Sequence, residues 1–312
     1  MNKIERIDAA LNGNNLDRLP FSCWYHFGLQ HAPASQTAQA HLSFFQAYDL
    51  DFLKVMNDYS YPQSDNQKEF FDLSDISDWK ALEVFSGDEG GFGEQLKVLK
   101  IIASKLEGEA YFVETIFSPW TIARRFSDKQ TLLQLKNKEP ELLLEVMYKI
   151  AKSLANYACQ AIETGAAGIF LSLSAANSNV MTYSEYEKFC RPFDLMILDA
   201  IKAKTKFNIL HIHGEQIFFD ELLDYPIQAI NWSHLHTSPS LTEASTKYKG
   251  CLLGGIDEER FGHTTTKAIE QEIKETIETF GNKRLIITPG CSIQTDSAPK
   301  LIHTIKRAVL QV

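Results

Sequence analysis

Strand-like apolar runs alternate with amphipathic helical stretches along the whole 312-residue chain, and no Pro/Ser-rich linker, charge block or shift in composition interrupts them. This repetition is the mark of a parallel sheet covered by helices. Eight runs have strand character: residues 21–25, 52–56, 111–116, 168–173, 209–213, 228–231, 251–255 and 285–288. Helical periodicity fills 141–164, 183–205, 266–280 and 299–310. The pattern predicts an α/β fold, a single (β/α)8 TIM barrel over residues 1–312, since such barrels take about 250 residues plus insertions. An open doubly wound sheet fits less well, and no GxGxxG follows the first run. The interval 59–110 is too long for a loop and carries helical pieces around 72–82 and 92–106, so it reads as an elaborated second βα connection. Within it, the stretch Ser-Gly87-Asp-Glu-Gly90-Gly-Phe-Gly93 has no GK[ST] and two carboxylates that would repel phosphate, so it reads as a helix-entry turn.

Charge narrows the partners. Forty acidic residues against 31 basic ones give a net charge of −9, a surface that repels phosphate backbones and anionic headgroups, so neither nucleic acid nor a membrane is expected as a partner. The N-terminal MNKIERIDAALNGNN has no apolar core of a secretory signal, and a cytoplasmic location is expected. Five scattered cysteines without CxxC spacing point to reduced thiols rather than a disulfide framework.

In a barrel of this kind the reactive groups lie at the C-terminal strand ends. Reading those ends gives Trp24 and His26 at the first strand, Asn57 and Asp58 after the second, and Trp120 with Thr121 after the third. Ser172 and Ser174 follow at the fourth, His211 and His213 at the fifth, Asn231, His234 and His236 at the sixth, Asp257 after the seventh and Cys291 after the eighth. From this set, Asp58, His26 and His234 are candidate catalytic groups, and Trp24, Asn57, Trp120, Ser172 and Asn231 candidate contacts for a small-molecule substrate.

Residues 211–236 hold four of the nine histidines. In Asn208-Ile-Leu-His-Ile-His213, alternation puts His211 and His213 on one face of the fifth strand, with Leu210 and Ile212 on the other. Cys291, in Thr-Pro-Gly-Cys, could add a sulfur donor from the eighth strand. Two imidazoles and one thiolate leave a fourth position open, the pattern of a catalytic zinc site, and mixed nitrogen and sulfur donors favour zinc over magnesium or calcium. The alternative is that the histidines are hydrogen-bonded inner-face residues and Cys291 is a buried thiol.

Several motifs together resemble the uroporphyrinogen decarboxylase superfamily of (β/α)8 barrels: Asp17-Arg-Leu-Pro-Phe21, Phe117-Ser-Pro-Trp-Thr121, Gly165-Ala-Ala-Gly168, Tyr183-Ser-Glu-Tyr-Glu-Lys-Phe189, Ala229-Ile-Asn-Trp232, Leu253-Gly-Gly-Ile-Asp257 and Pro289-Gly-Cys291. The resemblance implies one of two chemistries. The decarboxylase branch uses an arginine-rich segment after the first strand and an Asp after the second. Asp58 matches that Asp, but Trp24-Tyr-His-Phe-Gly-Leu29 replaces the basic segment and no arginine occurs between Arg18 and Arg124. The other branch holds zinc with His-x-Cys on the fifth strand and a Cys after the eighth, and moves a methyl group from a separate corrinoid protein to a small thiol. His211 and Cys291 match that pattern, with His213 in place of the first Cys.

The reading that follows is a zinc-dependent methyl or alkyl transfer to a thiol, with His211, His213 and Cys291 holding the ion and a corrinoid protein as partner. A thiol bound at the open position would lose its proton and attack the alkyl carbon. The alternatives are metal-independent decarboxylation of a porphyrinogen or smaller carboxylated compound, and a non-catalytic binding barrel. Relatives suggest a homodimer.

Overall fold

A computed structural model describes residues 1–62, 73, 76–127, 129–281 and 283–311. Seven parallel strands, β1 (Phe52–Val55), β2 (Tyr111–Phe117), β3 (Gly168–Leu173), β4 (Ile209–Ile212), β5 (Ala229–Trp232), β6 (Cys251–Ile256) and β7 (Leu285–Pro289), pair in sequence order. Most are buried along their whole length, as expected for strands covered by helices on one side and filled on the other. Helices return the chain between strands, among them Gly90–Leu106 and Pro140–Glu163.

The expected first strand is not formed among the described residues. Residues 20–22 instead lie between β7 and β1 and make one parallel bridge, Phe21 to Ile287. Ile287 donates to Pro20 O (2.8 Å), Ser22 donates to Ile287 O (3.0 Å), and on the other side Asp51 donates to Phe21 O (3.0 Å). On its N-terminal side the ladder is limited by two local features. Pro20 has no N–H to give, and the Phe21 N–H is taken by the Asp51 carboxylate at 2.9 Å. Asp51, fully buried, also accepts from Arg6 and Arg18 at 2.8 and 2.6 Å, so an ion cluster rather than a strand ties this seam.

Three further expectations are adjusted. The stretch 183–205 forms two helices, Tyr183–Phe189 and Arg191–Ile201, broken at Cys190 before Pro192. Helix Ala34–Tyr48 precedes β1, in a stretch to which the sequence pattern assigned no particular element. In the long second connection, helices Ile76–Lys80 and Gly90–Leu106 are present, while residues 72, 74 and 75 of the first expected piece lie outside the described residues. The glycine stretch is a helix entry, with Glu89 at the N-cap of Gly90–Leu106. A Cβ on Gly91 would sit 1.9 Å from Ser60 O, so glycine is required where the two backbones meet.

Inside the curled sheet, aromatic rings pack beneath the C-terminal strand ends. Trp24 packs edge-on against Phe170 (5.4 Å between centroids), and Phe52 against Phe207 (5.0 Å). These rings form the floor on which the polar strand ends stand. No helix among the described residues is long and apolar enough to cross a membrane.

Candidate metal centre and its pocket

The expected fifth strand is β4, and its end brings His211 and His213 to Cys291, two residues past Gly-preceding Pro289 of β7. Cys291 Sγ lies 3.7 Å from His211 Nε2 and 3.9 Å from His213 Nδ1, and the three donor atoms fall within 4.8 Å of one another. His211 is buried and its ring stacks on Phe170 at 5.2 Å. Its Nδ1 is 2.7 Å from Asn231 Oδ1, while Asn231 Nδ2 donates to Leu253 O and Pro289 O, both at 3.1 Å. Two carbonyls therefore fix which end of the amide faces His211. The amide oxygen takes the Nδ1 proton and leaves the Nε2 lone pair directed at Cys291.

Cys291 is positioned by its neighbour. Gly290 N–H donates to Glu258 Oε2 at 3.1 Å, and a Cβ on Gly290 would meet Ser233 Cα at 2.7 Å and Trp232 O at 2.8 Å. Burial, with His213 beside it, lowers the His211 pKa to about 3. Burial and then Arg124 lower that of His213, and burial raises the Cys291 thiol. The two imidazoles are thus neutral and keep a lone pair that could be offered to a cation, and a thiol that meets a cation gives up its proton. Two nitrogens and one sulfur, with the tautomer of one imidazole fixed by a neighbouring amide, suit zinc.

The cluster opens into a cavity of about 170 Å³ that Trp24, His26, Ser172 and Ser174 also line. Ser174 Oγ is 2.7 Å from Thr121 Oγ1. A larger cavity of about 560 Å³ adjoins it, sharing Thr115, Phe117 and Arg125, and is lined by Asn57, Asp58 and several aromatic rings. His26 Nδ1 and Asp58 Oδ1 lie 2.7 Å apart at the lip between the two. Burial alone would raise the Asp58 pKa, but the His26 and Gly28 hydrogen bonds outweigh it and the net shift is downward.

Not every expected residue reaches this place. Asn231 is fully buried behind His211 with its amide spent on it and on two carbonyls, so it orients the His211 ring and does not line the cavity. Trp120 is buried, lines neither cavity and packs in the core. His234 also lines neither: its Nε2 accepts from Gly255 N at 2.8 Å, and its ring fills the notch left by the missing side chain of Gly254. His236 and Arg260 pair with Asp257 in a separate charged group.

The structure adds three residues that strand-end reading missed. Lys54 of β1, buried, and Arg124 and Arg125 of helix Pro119–Phe126 line the 170 Å³ cavity. A lysine inside an apolar strand, Phe-Leu-Lys-Val, was the available signal for the first.

The uroporphyrinogen decarboxylase (URO-D) family model matches residues 58–311. The chain belongs to this family. A uroporphyrinogen decarboxylase of Synechococcus sp. (strain JA-3-3Ab) is 25% identical over 230 residues, covering 70% of this chain and 62% of that protein. The methylcobamide:CoM methyltransferase MtbA of Methanosarcina acetivorans is 25% identical over 142 residues, 46% of this chain and 42% of that protein. The aligned part thus spans less than two thirds of either relative. Among solved structures, a methyltransferase from Methanosarcina mazei superposes over 100% of this chain and 99% of its own with a TM-score of 0.83 at 16% identity, a likeness of fold. Within the URO-D family the chain therefore has enzyme relatives of both chemistries, decarboxylase and methyltransferase.

Proposed function

We propose that the chain is a zinc-dependent transferase that moves a methyl or alkyl group to a small thiol, with a separate corrinoid protein as the methyl donor's carrier. The observation that carries this reading is the convergence of His211 Nε2, His213 Nδ1 and Cys291 Sγ at one cavity wall. Zinc held there would supply Lewis acidity that keeps a thiol ligand deprotonated near neutral pH.

The chain's own residues do the rest. Asn231 holds the His211 tautomer and Glu258 holds the Gly290–Cys291 turn. Asp58 accepts the Nδ1 proton of His26, which leaves His26 Nε2 as the base that takes the thiol's proton at the lip of the cavity. The Trp24 and Phe170 rings give the cavity an apolar lining beside His211 that disfavours water there.

The test is metal content and activity of protein purified without a histidine tag. About one zinc per chain is expected, as for a single catalytic site, falling sharply in Cys291→Ser and His211→Ala together with thiol methylation from methylcobalamin. A zinc-free, folded wild type that still methylates thiols overturns it. The second reading, metal-independent decarboxylation, is favoured by Asp58 lining the larger cavity. Activity on a carboxylated substrate that survives chelation and collapses in Asp58→Ala would select it.

A further inference from the structure

Past the single bridge at Phe21, residues 24–27 belong to no strand, yet two of them stand at the cavity. Their side chains divide by alternation. Trp24 and His26 line the 170 Å³ cavity, while Tyr25 and Phe27 pack on helix Ala34–Tyr48. Tyr25 meets Phe44 edge-on at 4.9 Å between centroids, and Phe27 lies 5.8 Å from Phe44 and 4.3 Å from His41. His41 and Phe44 are three apart on the helix and so share one face. This face of rings supports a segment that has little ladder behind it.

His41 has a second task. Its ring is buried, and Nδ1 lies 2.8 Å from Thr37 O. A carbonyl only accepts, so Nδ1 carries the proton and Nε2 is left with its lone pair. That lone pair takes the N–H of Met56 at 3.0 Å. Burial lowers the His41 pKa to about 4, which keeps the ring in this neutral form. Met56 is the first residue past β1 and stands two before Asp58. One residue after Asp58, the Tyr59 hydroxyl lies 3.1 Å from Thr37 Oγ1 on the same helix. The helix therefore grips the chain on both sides of Asn57 and Asp58.

The Asp58 carboxylate in turn accepts from His26 Nδ1 at 2.7 Å and from the Gly28 N–H. Phe27 sits between those two donors in sequence, with its ring on His41. One imidazole thus touches both arms that carry the pair, although it lines neither cavity. We infer that His41 is a positioning residue for His26 and Asp58. It fixes Asp58 through the Met56 N–H and His26 through the Phe27 ring, and so determines which nitrogen of His26 carries the proton and which is left for the cavity. A hydrocarbon of the same shape could pack on Phe27 but would leave a buried N–H unpaired. That His26 Nε2 is the base for a thiol rests on the transferase reading; the geometry of the pair does not.

The test reads the ring nitrogens of His26 by nitrogen-15 NMR in full-length, zinc-free protein without substrate, at about pH 9, where a free imidazole is neutral. In wild type the proton should sit mainly on Nδ1. His41→Phe keeps a ring against Phe27 and removes the acceptor, and should lower the Nδ1-to-Nε2 proton ratio of His26 about threefold or more, the worth of one ordinary hydrogen bond. His41→Gln can still accept from Met56 N and should recover most of that loss. Phe27→Leu weakens the other arm at a half-buried residue and should lower the same ratio, so the test survives if His41→Phe does not fold. A wild-type His26 protonated on Nε2 overturns the proposal, and so do folded variants that melt earlier but keep the wild-type ratio, since a purely structural role would do no more than that. In thiol methylation, His41→Phe should lower kcat about tenfold, part of what a general base contributes, with KM and zinc content unchanged. A tautomer response in a protein that methylates no thiol leaves the positioning role standing and removes the transferase reading, and methylation without a tautomer response does the reverse.

Discussion

The side-chain amide of Asn231 meets His211 Nδ1 at 2.7 Å while its nitrogen bonds two backbone carbonyls, from β6 and β7, at 3.1 Å each. One buried residue thus connects the imidazole on β4 to both later strands, and the strand end that carries Cys291 is one of them. Asn231→Ala should lower zinc affinity about 10- to 100-fold, the usual effect of losing a partner that orients a ligand. It should also cost about 1–3 kcal/mol of stability, because two carbonyls lose their donor. Competition with a zinc-binding dye and a urea titration check the two effects separately.

Gly290→Ala tests how Cys291 is held. The new methyl would press on the backbone of Ser233 and Trp232, which cannot move as a side-chain tip can. Zinc stoichiometry should fall well below that of wild type, while far-UV circular dichroism stays unchanged. Normal zinc content in this variant would show that the turn tolerates a shift.

Glu114 gives a pH dependence of unusual sign for a carboxylate. Burial raises its pKa from 4.5 to about 8, against the hydrogen bonds of Gln95 and Tyr157. Below pH 4.5 both folded and unfolded chains hold the proton, and the residue adds no pH dependence. Between about 4.5 and 8 the unfolded chain releases it and the folded one keeps it, so stability falls as pH rises, and above 8 the penalty is complete. Glu114→Gln should remove this slope. Parallel pH profiles of the two melting temperatures would contradict the assignment.

At the opposite end of the barrel, Asp51→Ala should destabilise by about 3–5 kcal/mol, since it leaves the buried guanidinium of Arg6 and that of Arg18 without their shared carboxylate. Chemical denaturation will measure it. A change under 1 kcal/mol would mean that Asp17, which also pairs with Arg6, suffices.

For the lip of the cavity, His26→Gln and Asp58→Asn should each slow thiol methylation about 10²-fold or more, the usual worth of one general base, with zinc content unchanged.

Much of this was legible in the chain because it depends on period and position. The run at 209–213 alternates cleanly, so the shared face of His211 and His213 follows from strand geometry, and Cys291 follows from the rule that strand ends converge. What escaped depends on contacts between distant parts. Residues 21–25 have strand composition, yet they form one bridge, and the Phe21 N–H goes to the Asp51 carboxylate rather than to a neighbouring strand. His234 sits at a strand end, but a glycine on the neighbouring strand offers its ring a better place. The missing arginines were sought after the first strand, whereas Arg124 and Arg125 arrive from the helix after β2. The acidic net charge concealed a basic pocket, because a sum over the surface carries no information about one cavity.

The seam at residues 20–22 has a mechanical consequence for the pocket. His211 stands on β4 and Cys291 follows the end of β7, strands joined by continuous ladders, while Trp24 and His26 follow a segment stitched to β7 by a single bridge, with a further bond from Ile293 N to Trp24 O at 3.0 Å. The ladder is therefore continuous beneath the two imidazoles and thin where the cavity's opposite wall begins, and there a buried ion cluster on Asp51 takes over the work that strand pairing does elsewhere.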